Sequence, residues 1–169
     1  MARPTAPPST APPPTAAASA ARWCSFLVDG RCFAVDAAVV AEVLRATTVN
    51  RVPLAAPAIA GLLNLRGRIV PVIDMRLRLG FTPAAAERPR INLVIDVRNE
   101  WYSLLVDDLL DVVSFDANHI EPPSGSRSVP ALDAVVGLLS ETDRLVHFLD
   151  PERLLQSLVV TRVRGLSVG

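Results

Sequence analysis

The chain has no charge of one sign to offer: 17 basic side chains are balanced by 17 acidic ones. Such a surface carries no field to neutralise phosphates or hold an anionic membrane, so nucleic acid is not an expected partner. No run approaches the roughly 18 apolar residues of a spanning helix, so the expectation is a soluble, cytoplasmic protein without membrane insertion. Catalytic signals are scarce too. There is no glycine-rich phosphate loop, no GxSxG elbow and no HExxH, and only two histidines, His119 and His147. The two cysteines, Cys24 and Cys32, lack the clustered histidines of a zinc site and fall on the arms of one expected hairpin. They read as small buried thiols in a reducing compartment. No metal or cofactor is expected.

What is present is half apolar and one-fifth charged, as in ordinary soluble globules. A chain of this length buries roughly 70% of its unfolded surface without disulfide or metal. The first 21 residues are Pro, Ala, Ser and Thr with few charges, a composition that cannot offset the entropy of ordering and favours extended polyproline conformations. They are expected to form a disordered arm. Its prolines interrupt every stretch that would serve as the apolar segment of a signal peptide.

Trp23 to Val28 and Arg31 to Val35 read as a hairpin around Asp29-Gly30, a dipeptide suited to the positive φ angles of a two-residue turn. Asp36 then caps an expected short helix whose Val39, Val40, Val43 and Leu44 recur at helical spacing. Ile59 to Leu65 and Arg68 to Ile73 form a second strand pair, with Pro71 arguing for an edge or a bulge. Asp74 caps a helical turn over Met75 to Leu79, and Pro83 to Pro89 connects two halves. Ile91 to Val97 and Trp101 to Asp107 repeat the opening hairpin, with Asp108 to Val113 in the place of the first short helix. Glu121 to Pro130 reads as an exposed, mobile Pro/Ser/Gly loop. Val135 to Leu139 and Arg144 to Leu149 close the second half, and Asp150-Pro151 starts a last helix.

The chain is written twice. Shifted by about 76 residues, Gly61-Leu62-Leu63 meets Gly137-Leu138-Leu139, Arg68 meets Arg144, Val70 meets Val146, Asp74 meets Asp150 and Leu79 meets Leu155. Upstream, Ala34-Val35-Asp36 matches Leu105-Val106-Asp107, and Glu42-Val43 matches Asp111-Val112. Two copies are too few for a solenoid, and many short strands with tight turns point to two small antiparallel barrels in tandem, with a cleft between them.

The carboxylates Asp74, Asp96, Asp107, Asp108, Asp111 and Asp150 stand at strand ends, where capping explains them better than acid–base work. His147 lies within an apolar strand and reads as a satisfied strand residue; His119 reads as a surface residue. A small hydrolase using Asp107 and His147 in the cleft is the alternative from a different functional class. Arg66 differs from all of these. On a loop held by two apolar strands, its five-donor fork can engage a partner carboxylate or carbonyl, with Gly67 permitting the backbone that turns it outward. The competing explanation is a solvated turn residue, or a buttress bonding a nearby carbonyl.

These residues carry a resemblance. Val35-Asp36 with Val40, Glu42 and Val43, then Arg51-Val52-Pro53, the block from Gly61 to Asp74 reading GLLNLRGRIVPVID, Leu105-Val106-Asp107 with Asp111-Val112, and Leu149-Asp150 with Leu154-Leu155 together resemble the CheW family of chemotaxis adaptors over approximately Trp23 to Leu155. The resemblance implies a mainly β fold of two five-stranded SH3-like barrels with short helices. It implies a domain over about 22–158, with subdomains near 36–90 and 91–148, the N-terminal hairpin and C-terminal helix packing across, and a tail at 159–169. It further implies a non-enzymatic coupling of methyl-accepting chemoreceptor tips to the regulatory domain of the histidine kinase CheA. Val40, Glu42, Asn64, Leu65, Arg66 and Gly67 are then the partner-binding positions. A related chemosensory system, serving twitching motility or gene regulation, is equally compatible. One departure stands out: Ser103 follows Tyr102 where family members often have glycine.

Overall fold

The structure, a computed structural model, describes residues 21–45, 47–124 and 132–164. The chain runs through β1 (Arg22–Val28), β2 (Arg31–Asp36), β3 (Val40–Arg45), β4 (Ile59–Leu65), β5 (Arg68–Asp74), α1 (Met75–Arg78), β6 (Ile91–Val97), β7 (Glu100–Val106), β8 (Asp108–Ser114), β9 (Val135–Ser140), β10 (Leu145–Leu149) and α2 (Pro151–Arg164). The strands make two five-stranded sheets, ordered β8-β1-β2-β10-β9 and β3-β6-β7-β5-β4.

The two orders are one topology used twice. In each sheet a hairpin, β1–β2 or β6–β7, pairs antiparallel with one strand and parallel with a second, β10 or β5, which in turn pairs antiparallel with β9 or β4. Each hairpin, however, sits with the later strands of the other repeat. The N-terminal hairpin β1–β2 completes the sheet of β8–β10, packing across as the resemblance implied, while β6 and β7 cross the subdomain boundary expected near residue 90 to complete the sheet of β3–β5. The sequence repeat records the strands, and the hairpin exchange is a matter of tertiary pairing that no local pattern encodes.

The repeat also marks where each sheet closes. Asn50 exchanges two 2.8 Å backbone hydrogen bonds with Leu62, joining the chain after β3 to β4 at the far edge. Glu121 does the same with Leu138, between the chain after β8 and β9. Gly61 and Gly137 lie beside these closures. A Cβ on Gly61, whose φ is +153°, would stand 2.2 Å from the carbonyl oxygen of Asn50, and one on Gly137 would stand 2.5 Å from Ile120 Cγ2. Asp74 and Asp150 likewise match in role. Their amides reach the carbonyls of Ala58 and Ala134, and their side chains cap α1 and α2 through the amides of Arg76 and Glu152.

The described residues form three apolar cores. Val70, Val72 and Leu63 fill one barrel, and Cys32, Ala34, Val146 and Phe148 the other. Between the barrels lies the largest core, built from Phe26, Phe33, Ile73, Leu93, Leu104 and others from both sheets. Strands β1, β2, β5 and β7 thus bury both faces, which is why they read as nearly continuous apolar runs. Where a cleft was expected, these described residues form a packed interior. Each large side chain there contributes about 1.5–3 kcal/mol, so apolar burial far outweighs the surface ion pairs in holding the barrels together.

Two expected helices are strands. Of the first expected helix, Ala37–Val39 alone is helical, as a 3-10 turn with Asp36 accepting from the amide of Ala38. Val40–Arg45 then extends as β3, alternately half-buried and exposed, because pairing with β6 outweighs the weak helical spacing of its valines. Asp108–Ser114 pairs with β1 in the same way. Pro71 lies opposite Leu62, one residue before the parallel ladder with β7 starts at Val72, so β5 is an interior strand whose β7 side is unpaired at Pro71, and no register shift falls there. The helix from Pro151 continues past the expected tail boundary to Arg164. The N-terminal arm, apart from Ala21, and residues 125–130 of the expected mobile loop lie outside the described residues.

Candidate partner-binding site at the Arg66 hairpin

The β4–β5 turn consists of Arg66 (φ 53°) and Gly67 (φ 79°), both left-handed, as a two-residue hairpin turn demands. Asn64 Oδ1 accepts the Gly67 N–H at 3.0 Å. The Arg66 side chain, 71% exposed, places Nη2 3.2 Å from Glu42 on β3. Glu42 is the less exposed partner, so it steers a cation that otherwise projects into water. One nitrogen faces Glu42; the remaining donors of the fork point elsewhere.

Of the six positions inferred from the sequence, four meet here: Glu42, Asn64, Arg66 and Gly67. Leu65 is half-buried against the barrel interior, and Val40 is half-buried against the central core. The structure thus assigns these two side chains to the cores and not to the turn. Neighbours that sequence reasoning did not single out are Arg68, whose guanidinium lies 4.2 Å over the Trp101 ring, and Ile69, 63% exposed opposite Asn64. No sequence signal singled out Ile69, because it stands in the continuous apolar run Ile69-Val70-Pro71-Val72-Ile73.

Asp107 and His147, the pair of the alternative hydrolytic reading, are differently employed. Asp107 accepts from Arg76 Nε at 3.0 Å on both oxygens and from the Asp29 amide at 2.7 Å. Burial alone would raise its pKa, but these hydrogen bonds and the charges of Arg76 and Arg90 hold it below the usual carboxylate range, which makes it a poor general base. Asp107 is therefore a buried anchor rather than a cap. It joins α1 to the β1–β2 turn, where Arg76 Nη1 also meets Asp29 at 3.1 Å. Asp74 adds to its capping role a bidentate pair with Arg90, at 2.7 and 3.0 Å. Asp96 accepts from the indole of Trp101 instead of capping.

His147 is buried, stacks on Phe33 at 4.9 Å between centroids and places Nδ1 3.0 Å from the Cys32 carbonyl. A carbonyl only accepts, so that nitrogen carries the proton. Burial pushes the imidazole below its ordinary pKa, partly offset by this hydrogen bond, and Arg31 lowers it further. His119 is exposed, 3.6 Å from Asp116. Cys24 and Cys32 are free and buried, paired across the hairpin with Val35 and Leu27 rather than with each other, and burial raises both thiols. Ser103, fully buried, donates to Asn92 Oδ1 at 2.8 Å, which satisfies its hydroxyl inside the barrel. No metal-binding cluster occurs among the described residues, and none of their helices is long and apolar enough to cross a membrane.

A family model described as the CheW-like domain matches residues 22–159, spanning both sheets and this hairpin. The chain belongs to that family. It is 28% identical over 130 residues to a probable chemotaxis protein CheW of Rhizobium etli, covering 77% of this chain and 84% of that protein. It is 27% identical over 111 residues to Protein PilI of Pseudomonas aeruginosa, covering 66% and 60%. The crystal structure of the scaffolding protein TtCheW from Thermoanaerobacter tengcongensis superposes with a TM-score of 0.72 at 24% identity, covering 80% of this chain and 92% of that one. That likeness places the CheW-like chain in the double SH3-like barrel fold expected from its sequence.

Proposed function

We propose that this CheW-family chain is a non-enzymatic chemotaxis adaptor that works in the cytoplasm, coupling the tips of methyl-accepting chemoreceptors to the regulatory domain of the histidine kinase CheA. The family match over residues 22–159 carries the reading. In it, Arg66 is the contact residue, flanked by Glu42, Gly67 and Asn64. An exposed ion pair is worth at most about 1 kcal/mol, so a partner carboxylate can replace Glu42 at Arg66 with little loss. Arginine on a rigid turn is also a favoured interface anchor.

The test is reconstitution from purified chain, CheA and receptor cytoplasmic fragments, reading co-sedimentation and kinase activity. The chain is expected to bring kinase and receptor into one complex and change kinase output; failure to bind either would remove the proposal. The similarity to PilI is consistent with a second reading, service in a related chemosensory system such as one for twitching motility or gene regulation. Pull-down from the native cell, with identification of the bound kinase, separates the two.

A further inference from the structure

We infer that Asn64 is a positioning residue for Arg66, acting through the turn instead of meeting a partner itself. The inference rests on the reading of Arg66 as a binding residue. Arg66 occupies a left-handed conformation that side chains other than Asn, Asp and Gly seldom adopt, so the turn needs a compensating contact. Asn64 supplies it: its Oδ1 takes the Gly67 amide at 3.0 Å, closing the turn from the strand that precedes it.

The other two hairpin turns of this kind are held differently. At Asp29-Gly30 the first position is an aspartate, which tolerates that conformation, and its amide is held by Asp107 at 2.7 Å. At Arg98-Asn99 the arginine is fixed by two bonds to Glu152 on α2, at 3.1 and 2.6 Å. Among the two-residue turns of the described residues, only at Arg66 does the side chain two residues back hold the turn's own amide; the Arg66 side chain, 71% exposed, touches Glu42 through one nitrogen, whereas that of Arg98, 77% exposed, is tied to Glu152 through two. With its acceptor engaged at Gly67, Asn64 presets where the Arg66 fork points, and a preset fork loses less freedom on binding.

Four variants test this: Asn64→Ala, Asn64→Asp, Arg66→Ala and the double Asn64→Ala/Arg66→Ala, each titrated with the CheA regulatory domain and with a receptor cytoplasmic fragment. Asn64→Ala should weaken the complex that Arg66→Ala weakens, by about 3- to 10-fold. Asn64→Asp, which keeps the acceptor oxygen, should bind within about 2-fold of the parent. The double variant should bind no more weakly than Arg66→Ala, and the Gly67 amide should lose hydrogen-exchange protection in Asn64→Ala. An undiminished loss from Asn64→Ala in the Arg66→Ala background, or an Asn64→Asp as weak as Asn64→Ala, overturns the inference while leaving Arg66 in the site. Unchanged affinity in Arg66→Ala itself overturns both.

Discussion

Arg66 Nη2 lies 3.2 Å from Glu42, joining the β4–β5 turn to β3, the strand at the opposite edge of the same sheet. The Asn50–Leu62 bridge closes those edges further along β4. The same residues therefore finish a barrel and present a cation.

Because the pair is exposed, its removal should be felt in binding and not in folding. Arg66→Ala is expected to lower stability by less than about 1 kcal/mol yet weaken a partner complex by more than about 1 kcal/mol. Thermal melts alongside titrations check this, and a melt shifted by tens of degrees would mean that Arg66 is structural.

Gly61 and Gly67 should separate steric from conformational cost. Gly67→Ala meets nothing within 4 Å and is strained only by its φ of +79°, a loss of about 1 kcal/mol. Gly61→Ala adds a 2.2 Å clash with the Asn50 carbonyl and should cost at least about 3 kcal/mol. Urea unfolding of both variants decides; equal losses would mean that the Asn50–Leu62 closure is looser than it appears.

Much of this was legible beforehand, for identifiable reasons. Asp29-Gly30, the cap Asp74 and the Gly61/Gly137 repeat act through chain neighbours or a repeated pattern, so the hairpins, caps and doubling could be read directly. Arg66 was legible because a charged residue interrupts two apolar strands. By contrast, β3 and β8 carry mixed spacings and become strands only through pairing with β6 and β1. The hairpin exchange and the Arg76–Asp107–Asp29 junction join residues far apart in sequence, where no periodicity points.

That junction gives a third prediction. Asp107→Ala leaves Arg76, whose side chain is 9% exposed, without its principal partner. Breaking a buried pair in this way costs about 3–5 kcal/mol. Chemical denaturation measures it, and a loss under 1 kcal/mol would show that water or another carboxylate takes over.

Acid stability should report His147. Its folded pKa is below the ordinary 6.5, so as pH falls through about 6.5 the unfolded chain takes up a proton first, and stability declines until the folded imidazole titrates. Above about 6.5 this group contributes its full share. His147→Gln should flatten that slope in equilibrium unfolding; an identical slope would assign it to other groups.

The exchanged hairpins predict that the halves depend on each other. Chains cut within the connection before β6 should be largely unfolded alone and regain β-sheet circular dichroism when mixed, since each barrel draws strands from both. A half that folds cooperatively by itself would contradict the exchange.

The central claim is that this CheW-family chain acts through contact at the Arg66 hairpin. The direct measurement is titration of the parent and Arg66→Ala chains, both shown folded, against the CheA regulatory domain and a chemoreceptor cytoplasmic fragment. The account predicts binding by the parent and at least about a 5-fold loss for one partner in the variant. Equal affinity of the two chains for both partners would contradict it.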